Sequence, residues 1–152
     1  MPREPYGVTI FCDDIRQEMG GKTSLIGCYG ANMVVPVPFP LVLPKLGIDV
    51  SYYLPIELPW KPIELCVFFP GDEEDKPSIS AGIDEPPKRR SEEDSENNYL
   101  RLNLRTVLGP ITISQAGRIR SIAVRDGQVT RLGSLRVKLS KEQAAREGHP
   151  PS

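Results

Sequence analysis

The sequence contains almost no histidine, because His149, in a polar C-terminal segment, is the only one among 152 residues. Histidine is the usual general base, proton shuttle and metal ligand near neutral pH. Its absence from the apolar, strand-like part of the chain excludes His-dependent triads, Cys–His dyads and His-ligated zinc sites. We therefore expect a protein that is not an enzyme and that carries no cofactor.

Long apolar runs are also missing, and no stretch approaches the roughly 18 residues that a membrane-spanning helix needs. The first residues lack the apolar core of a signal peptide. The 16 prolines cluster between the apolar runs and disfavour long helices. These features predict a cytoplasmic protein that does not contact a membrane, and no small-molecule substrate is evident.

Cysteine is sparse, with only Cys12, Cys28 and Cys66 in the chain. Each lies in an apolar, strand-like context, which is typical of buried reduced thiols in a reducing compartment. A bridge between Cys12 and Cys28 across a hairpin stays open. Three thiols without a fourth ligand make a poor zinc site.

Short apolar segments separated by turn residues recur along the chain. The segments that read as strands are 7–12, 23–30, 32–35, 46–54, 63–69, 78–83, 99–105, 117–125 and 128–139. Because no helix is long enough for a βαβ unit, the pattern predicts an antiparallel β-sandwich of about eight strands, immunoglobulin-like or a related Greek key. A small barrel is the alternative. We assign residues 1–140 to this single domain and 141–152 to a short helix and a disordered tail.

Three connecting segments have distinct compositions. Residues 13–18 are too few for a stable helix and read as one turn, which Gly20 and Gly21 end as part of a hairpin. Residues 36–44 carry four prolines and predict an extended crossover between sheets. Residues 84–98 are rich in charge and predict a mobile loop within the domain.

The C-terminal half carries the clearest strand signals. In residues 99–105 leucines alternate with polar side chains, which predicts one buried and one solvent-facing side. Asp126-Gly127 is a strong hairpin signal between the last two strands. The apolar residues before this turn break the period of two, which predicts a β-bulge near Ser121. Ser140 is placed to cap the short helix.

The N-terminal half combines Phe11-Cys12-Asp13-Asp14, Gly20-Gly21-Lys22, Ile26-Gly27 and Leu43-Pro44-Lys45-Leu46. This arrangement resembles a family of small uncharacterised proteins found in bacterial genomes and their phages, over about the first 50 residues. The resemblance implies a sandwich-like fold and a bacterial host cell, with a phage gene as an alternative source. It transfers no catalytic residue.

Clustered carboxylates at residues 13–18 are the weak candidates for a metal site. Asp13 and Asp14 could offer oxygen ligands to calcium or magnesium, with Glu18 nearby. We favour the simpler interpretation, in which Asp13 caps the turn and the other acids are solvated. The neighbouring Gly20–Thr23 segment echoes a phosphate-binding loop, but its first glycine is replaced by Arg16 and a strand follows it.

Charge is divided unevenly along the sequence. Residues 1–97 carry 9 basic and 17 acidic side chains, whereas residues 98–140 carry 8 basic side chains and 1 acidic one. If the C-terminal strands are neighbours in one sheet, their cations form a basic face. The candidate binding residues are Arg101, Arg105, Arg118, Arg120, Arg131 and Arg136.

Three interpretations of this basic face compete. It could bind a protein partner or receive the acidic loop 84–96 of the same chain or of a second copy, it could be an ordinary solvated surface, or it could bind nucleic acid or another anion. We favour a non-enzymatic interaction module, accessory to an assembly, that acts through protein–protein contact. Anion or nucleic-acid binding is the first alternative, and a metal-dependent enzyme is a remote second.

The proline-rich crossover supplies a second candidate surface. Phe39, Leu41 and Trp60 would suit an interface if they were exposed, because aromatic residues anchor protein contacts. We favour the alternative in which these side chains close an open end of the sandwich core.

Overall fold

A computed structural model describes residues 3–87, 98–146 and 148 of the chain. Most of the loop predicted at 84–98 lies outside the described residues, and so do His149 and the predicted disordered tail. The described residues form twelve strands: β1 Tyr6–Cys12, β2 Asp14–Gln17, β3 Thr23–Ile26, β4 Asn32–Val35, β5 Leu41–Leu43, β6 Leu46–Pro55, β7 Ile63–Phe68, β8 Ile79–Ile83, β9 Tyr99–Leu108, β10 Ile111–Ile113, β11 Gly117–Arg125 and β12 Gln128–Leu139. A short helix, α1, spans Lys141–Arg146.

The strands form two main sheets. One is antiparallel and three-stranded, with β6 between β1 and β9. The other has the order β4-β12-β11-β7-β8, and its neighbours are antiparallel except for the parallel edge pair of β4 and β12. Two short ribbons, β2–β3 and β5–β10, complete the architecture. The all-β sandwich prediction is confirmed, although the described residues contain more strands than the eight or so expected.

Alternating side chains from both sheets build one apolar core. Ile48, Val50 and Tyr52 of β6 are at most 1% exposed, and they share a cluster with Ile119 of β11 and Leu135 of β12. This follows from the period of two along a strand, which sends every second residue to the same side. The core thereby fixes which side chains of β11 and β12 point away from it.

Strand β6 is buried on both sides, although the alternation of apolar and polar residues in 46–54 is typical of a half-buried strand. On the side away from the core, Asp49 and Ser51 are only 8% and 4% exposed. A Cβ added at Gly47 would lie 2.7 Å from the sulfur of Cys12 and 3.0 Å from a side-chain carbon of Ile15. The β2–β3 hairpin and neighbouring polar side chains therefore cover this outer side.

The prediction of a single turn at residues 13–18 is wrong, because Asp14–Gln17 is strand β2. It pairs with β3, so β3 is antiparallel to β2 rather than to the first strand. The hairpin predicted at the glycines is present, since Gly20 and Gly21 have φ angles of 79° and 75°. These left-handed conformations suit glycine and turn the chain back at once, which lets a segment as short as β2 find a partner.

The proline-rich segment 36–44 carries the chain from β4 in the five-stranded sheet to β6 in the three-stranded sheet, as predicted. It is not extended coil throughout, because Leu41–Leu43 pairs with Ile111–Ile113. Such a short two-stranded pairing at the margin is compatible with flanking prolines, which cannot donate to a central ladder.

The β11–β12 hairpin matches its prediction closely. Arg125 and Gln128 pair across a two-residue turn in which Asp126 and Gly127 have φ angles of 49° and 76°. The register shifts between Ser121 and Ile122, which confirms the predicted bulge. Two positive φ angles and a bulge both add to the twist of the hairpin.

Helix α1 begins where the sequence predicts. The backbone N–H of Gln143 donates to the Ser140 hydroxyl at 3.1 Å, as an N-cap does. The helix follows β12 and has Gln143 and Ala144 buried.

All three cysteines are free. Cys12 and Cys66 are buried, as predicted, but Cys28 is exposed. The prediction failed at Cys28 because β3 ends at Ile26, so this cysteine follows the strand instead of lying within it.

Candidate functional site

The candidate arginines divide between two sheets. Arg118 and Arg120 lie on β11 and Arg131 and Arg136 on β12, which are neighbours in the five-stranded sheet. Arg101 and Arg105 lie on β9, an edge strand of the three-stranded sheet. The six side chains therefore do not share one face.

Arg101 and Arg105 cover the buried polar groups of β6. Arg101 donates from Nη2 to the Ser51 hydroxyl at 3.1 Å. The Nε of Arg105 lies 3.4 Å from Oδ1 of Asp49, and its Nη1 donates to Thr23 at 3.0 Å. A buried carboxylate needs the counter-charge that Arg105 supplies, and Arg101 gives the buried Ser51 hydroxyl a hydrogen-bond partner, so both arginines have a structural role.

Asn103, between them on β9, completes this polar cluster. Its side-chain nitrogen lies 2.7 Å from Oδ1 of Asp49, 2.9 Å from the Val50 carbonyl oxygen and 3.2 Å from the Ser51 hydroxyl. The register places Asn103 opposite Ser51 and Arg105 opposite Asp49. The cluster thus follows from strand pairing between segments some fifty residues apart.

A different set of cations shares the outer side of the five-stranded sheet. On β11, Ile119, Ser121 and Ala123 are buried, so Arg118 and Arg120 point outward. On β12, Leu135 and Val137 are buried, and the alternate positions point outward. We call the resulting set the basic face: Arg118, Arg120, Arg131, Arg136 and Lys138.

The bulge determines that Arg131 belongs to this face. Arg131 and Arg136 are five positions apart, so strict alternation would send them to opposite sides. Ser121 pairs with Gly133 and Ile122 pairs with Arg131, which leaves Leu132 as the extra residue. Leu132 turns into the core at 3% exposure, and Arg131 turns outward.

The bulge lies where β12 passes β1. Gly133 has a φ of 152°, and a Cβ there would come within 3.0 Å of the Thr9 side chain. The hydroxyls of Thr9 and Ser121 lie 2.5 Å apart beside it. The bulge is thus fixed by contacts between the two sheets.

The basic face contains an open groove of about 610 Å³. Three of its arginines line the groove, together with Phe68 and Glu74. The guanidinium of Arg120 lies 4.4 Å above the ring of Phe68, which is only 4% exposed. This cation–π contact holds one guanidinium over the floor of the groove.

The cations of the basic face have little to neutralise them. Arg118 donates a long hydrogen bond of 3.4 Å to the Ser134 hydroxyl. Within residues 3–87 and 98–146, no carboxylate lies within ion-pair distance of any member of the basic face. Arg118 and Arg136 even lie directly opposite each other in the ladder. The face therefore presents a net positive charge, in which three arginines that line the groove face a single groove-lining carboxylate, that of Glu74.

The two weak metal candidates are engaged by separate neighbours. Asp13 accepts a hydrogen bond from the Tyr29 hydroxyl at 3.0 Å. Asp14 accepts one from the backbone N–H of Ile15 and lies 3.6 Å from the ammonium of Lys45. In the described part of the chain, no group of three or more histidine, cysteine or acidic side chains is arranged to hold a metal ion. The prediction that Asp13 caps a turn is wrong, because its carboxylate accepts from Tyr29 and the residues after it form strand β2. Asp14 is also not simply solvated, since it lies within ion-pair distance of Lys45.

The aromatic candidates of the crossover pack against the core. Leu41 is 8% exposed, and Phe39 and Trp60 are half-buried and contact the core cluster. The indole of Trp60 donates to the Asp84 carbonyl at 3.0 Å. Phe39 and Leu41 lie before the start of β6, whereas Trp60 lies just after its end. The three side chains therefore pack against the core at opposite ends of the sandwich, and the expectation that they close a single open end is wrong.

Among the described residues, no helix is long and apolar enough to cross a membrane. No protein-family model matches the chain, and no curated protein or solved structure matches it. The resemblance of the N-terminal half to small bacterial and phage proteins therefore stays a prediction.

Proposed function

We propose that this protein is a non-enzymatic interaction module that binds an acidic segment of a protein partner on its basic face. The observation that carries the proposal is the concentration of five cations on one outer sheet surface, without a carboxylate partner among the described residues. Such a surface attracts and orients an acidic ligand.

The arrangement of the basic face favours binding over a purely structural role. Like charges directly opposite in a ladder destabilise a sheet, and Arg118 and Arg136 are such a pair. By contrast, Arg105 on the other sheet neutralises the buried Asp49. An acidic ligand would relieve the repulsion on the basic face by supplying the kind of negative charge that Asp49 supplies to Arg105.

The floor of the groove favours a protein segment over nucleic acid. Single-stranded nucleic acids are held by aromatic platforms on which bases stack. The aromatic ring that lines this groove, Phe68, is 4% exposed and already covered by Arg120. The net charge of −1 is also unlike the strongly basic balance of most nucleic-acid-binding domains.

The test is a titration of a fluorescein-labelled glutamate-rich peptide, followed by fluorescence anisotropy at low salt. An oligo(dT) with the same number of negative charges is titrated in parallel. We expect the peptide to bind in a salt-sensitive manner and Arg131→Glu to weaken binding about tenfold, since repulsion replaces attraction. Lys22→Glu, an exposed position on the β2–β3 hairpin side, changes the net charge equally and serves as the control.

Equal weakening by Arg131→Glu and Lys22→Glu would overturn the basic face as the binding site. Binding of the oligonucleotide with no binding of the peptide would overturn the proposal in favour of nucleic acid. Failure of both probes at low salt would leave the face as a solvated surface and would also reject the proposal.

A further inference from the structure

The outer side of the five-stranded sheet changes sign from one end to the other. Beyond the basic face, a second open groove of about 300 Å³ is lined by Glu64 of β7 and by Asp84 and Asp126. All three side chains are exposed. None of them lies within ion-pair distance of a cation in the part of the chain that the structure describes. We call these three residues the acidic end.

Glu64 is held in its charged form. Its Oε1 accepts hydrogen bonds from the Ser80 hydroxyl at 2.6 Å and from the Cys66 thiol at 3.3 Å. These bonds lower the pKa of Glu64 below its ordinary value. The two hydrogen bonds therefore hold the Glu64 carboxylate in one position on the outer side of the sheet.

An apolar strip separates the two charged regions. Along β11 the outward side chains change from arginine to Ile122 and Val124 before the turn at Asp126. Val129, opposite Val124 in the ladder, is 61% exposed. Six residues of strand span about 20 Å, so Arg120 and Asp126 lie at well-separated ends of the face.

We propose that a second copy of this chain docks on this face, with the basic face of each copy against the acidic end of the other. The inference rests on the proposed function and names its partner. A twofold axis lying between the two faces exchanges the ends, so one contact is made twice, as in other isologous dimers. The apolar strip, with Ile122 and Val129, then lies at the centre, where interfaces exclude water.

The size of the face predicts a weak dimer. The five strands lie about 4.8 Å apart and average about seven residues, so they cover about 20 by 24 Å. Each copy would bury about 500 Å², which is less than the roughly 800 Å² per partner of typical stable complexes. Because charge contributes much of the attraction, we expect the dimer to dissociate as salt rises.

The decisive experiment mixes two charge-reversed variants. Arg131→Glu alone and Asp84→Lys alone each place like charges at both equivalent contacts, so each should be monomeric. In a mixture, the carboxylate introduced at position 131 of one chain would meet the ammonium introduced at position 84 of the other, and the second contact keeps its original Asp84 and Arg131. Sedimentation velocity should show a heterodimer that dissociates at least about tenfold less readily than either variant's homodimer.

The control pair is Lys22→Glu mixed with Asp84→Lys. Lys22→Glu alone should dimerise like the wild type, because position 22 lies outside the face, and the mixture should show no enrichment of a heterodimer, because one of its two contacts would place Arg131 against the introduced lysine. A wild-type protein that stays monomeric at low salt and high concentration would overturn the second copy as partner, as would a mixture without a heterodimer. The peptide titration distinguishes a failure of the dimer proposal from a failure of the proposed function. Peptide binding with no dimer would reject only the second copy, whereas the loss of both would reject the proposed function as well.

Discussion

Arg118 of β11 and Arg136 of β12 are paired directly across the ladder on the outer side of the five-stranded sheet. Cross-strand neighbours of this kind have Cβ atoms about 5 Å apart, and like charges at that distance repel. The described residues place no carboxylate against either one. The sheet therefore keeps an unfavourable pair at the position that the proposed function uses.

Arg118→Glu should consequently stabilise the fold while it weakens binding. The substitution replaces a repulsive pair with an attractive one, and we expect the free energy of unfolding to rise by about 1 kcal/mol at low salt. High salt should reduce the gain by screening. Urea denaturation at two salt concentrations measures both effects, with Arg118→Gln expected to give about half the gain. A variant less stable than the wild type at low salt would contradict this interpretation of the pair.

Thiol reactivity should distinguish the three cysteines. Cys28 is exposed, whereas Cys12 and Cys66 are 0% and 5% exposed. Burial raises the pKa of Cys12, and burial, together with the bond to the Glu64 carboxylate and its charge, raises the pKa of Cys66 to about 11. The thiolate is the reactive form. Both buried thiols should therefore react slowly, because the reagent has little access to them and because their raised pKa keeps them protonated.

With an aromatic disulfide reagent, we expect one of the 3 thiols to react rapidly in the native protein. The other two should react only when a denaturant unfolds the chain. Cys28→Ser should remove the rapid phase and leave the two slow thiols unchanged. A rapid phase that survives this substitution would show that a buried cysteine becomes accessible in the folded state.

Local sequence patterns were sufficient for those parts of the fold that depend on near neighbours. The alternation of Leu100, Leu102 and Leu104, the turn at Asp126 and the bulge near Ser121 each follow from a few adjacent residues. The role of Arg105 could not be found in this way, because it depends on pairing with Asp49 across a long separation in sequence.

Which residues belong to the basic face also could not be predicted from neighbouring residues alone. The sequence predicted the bulge near Ser121 but not that Leu132 is the extra residue on the partner strand. That one position decides whether Arg131 points outward or into the core. Likewise, the pairing of Asp14–Gln17 depends on the left-handed turn at Gly20, which a propensity argument for the segment alone does not contain.

The loop after β7 gives a pH-dependent prediction at Asp72. Its Oδ2 accepts hydrogen bonds from the N–H of Phe69 at 2.9 Å and from the N–H and hydroxyl of Ser78 at 3.0 and 2.6 Å. Burial acts to raise the pKa of Asp72, but these bonds outweigh it and lower the pKa below its ordinary value of 3.8. The charged form is therefore favoured in the folded protein.

Because the folded pKa is depressed, the stabilisation by Asp72 is complete well above pH 3.8 and is lost as the pH falls through the lower folded value. Asp72→Asn should reduce the free energy of unfolding by on the order of 1–2 kcal/mol near neutral pH, allowing for partial exposure. The difference from the wild type should shrink steadily below pH 3.8. Urea denaturation across this range, with Asp75→Asn as an exposed control, tests it; a constant difference would contradict the assignment.

The hydroxyl of Tyr52 is the last feature with a measurable consequence. Tyr52 is 0% exposed, and neither its hydroxyl nor Nε of Arg125 has a hydrogen-bond partner among the described residues. Burial raises the pKa of Tyr52, and the nearby Arg125 only partly opposes that shift. A buried polar group without a partner loses its hydrogen bonds to water on folding and forms no new ones, which destabilises the folded state.

Tyr52→Phe removes this hydroxyl and keeps the ring that fills the core. Since an unsatisfied buried group destabilises by about 1–3 kcal/mol, we expect the variant to unfold at a higher urea concentration, with a gain of about 1 kcal/mol. Tyr53→Phe is the matched control, because Tyr53 is on the opposite side of β6 and its ring stacks on Tyr6 at 4.9 Å. We expect little change there. A loss of stability in Tyr52→Phe alone would show that the hydroxyl is satisfied in solution, and that the interior between β6 and Arg125 holds a hydrogen-bonded group.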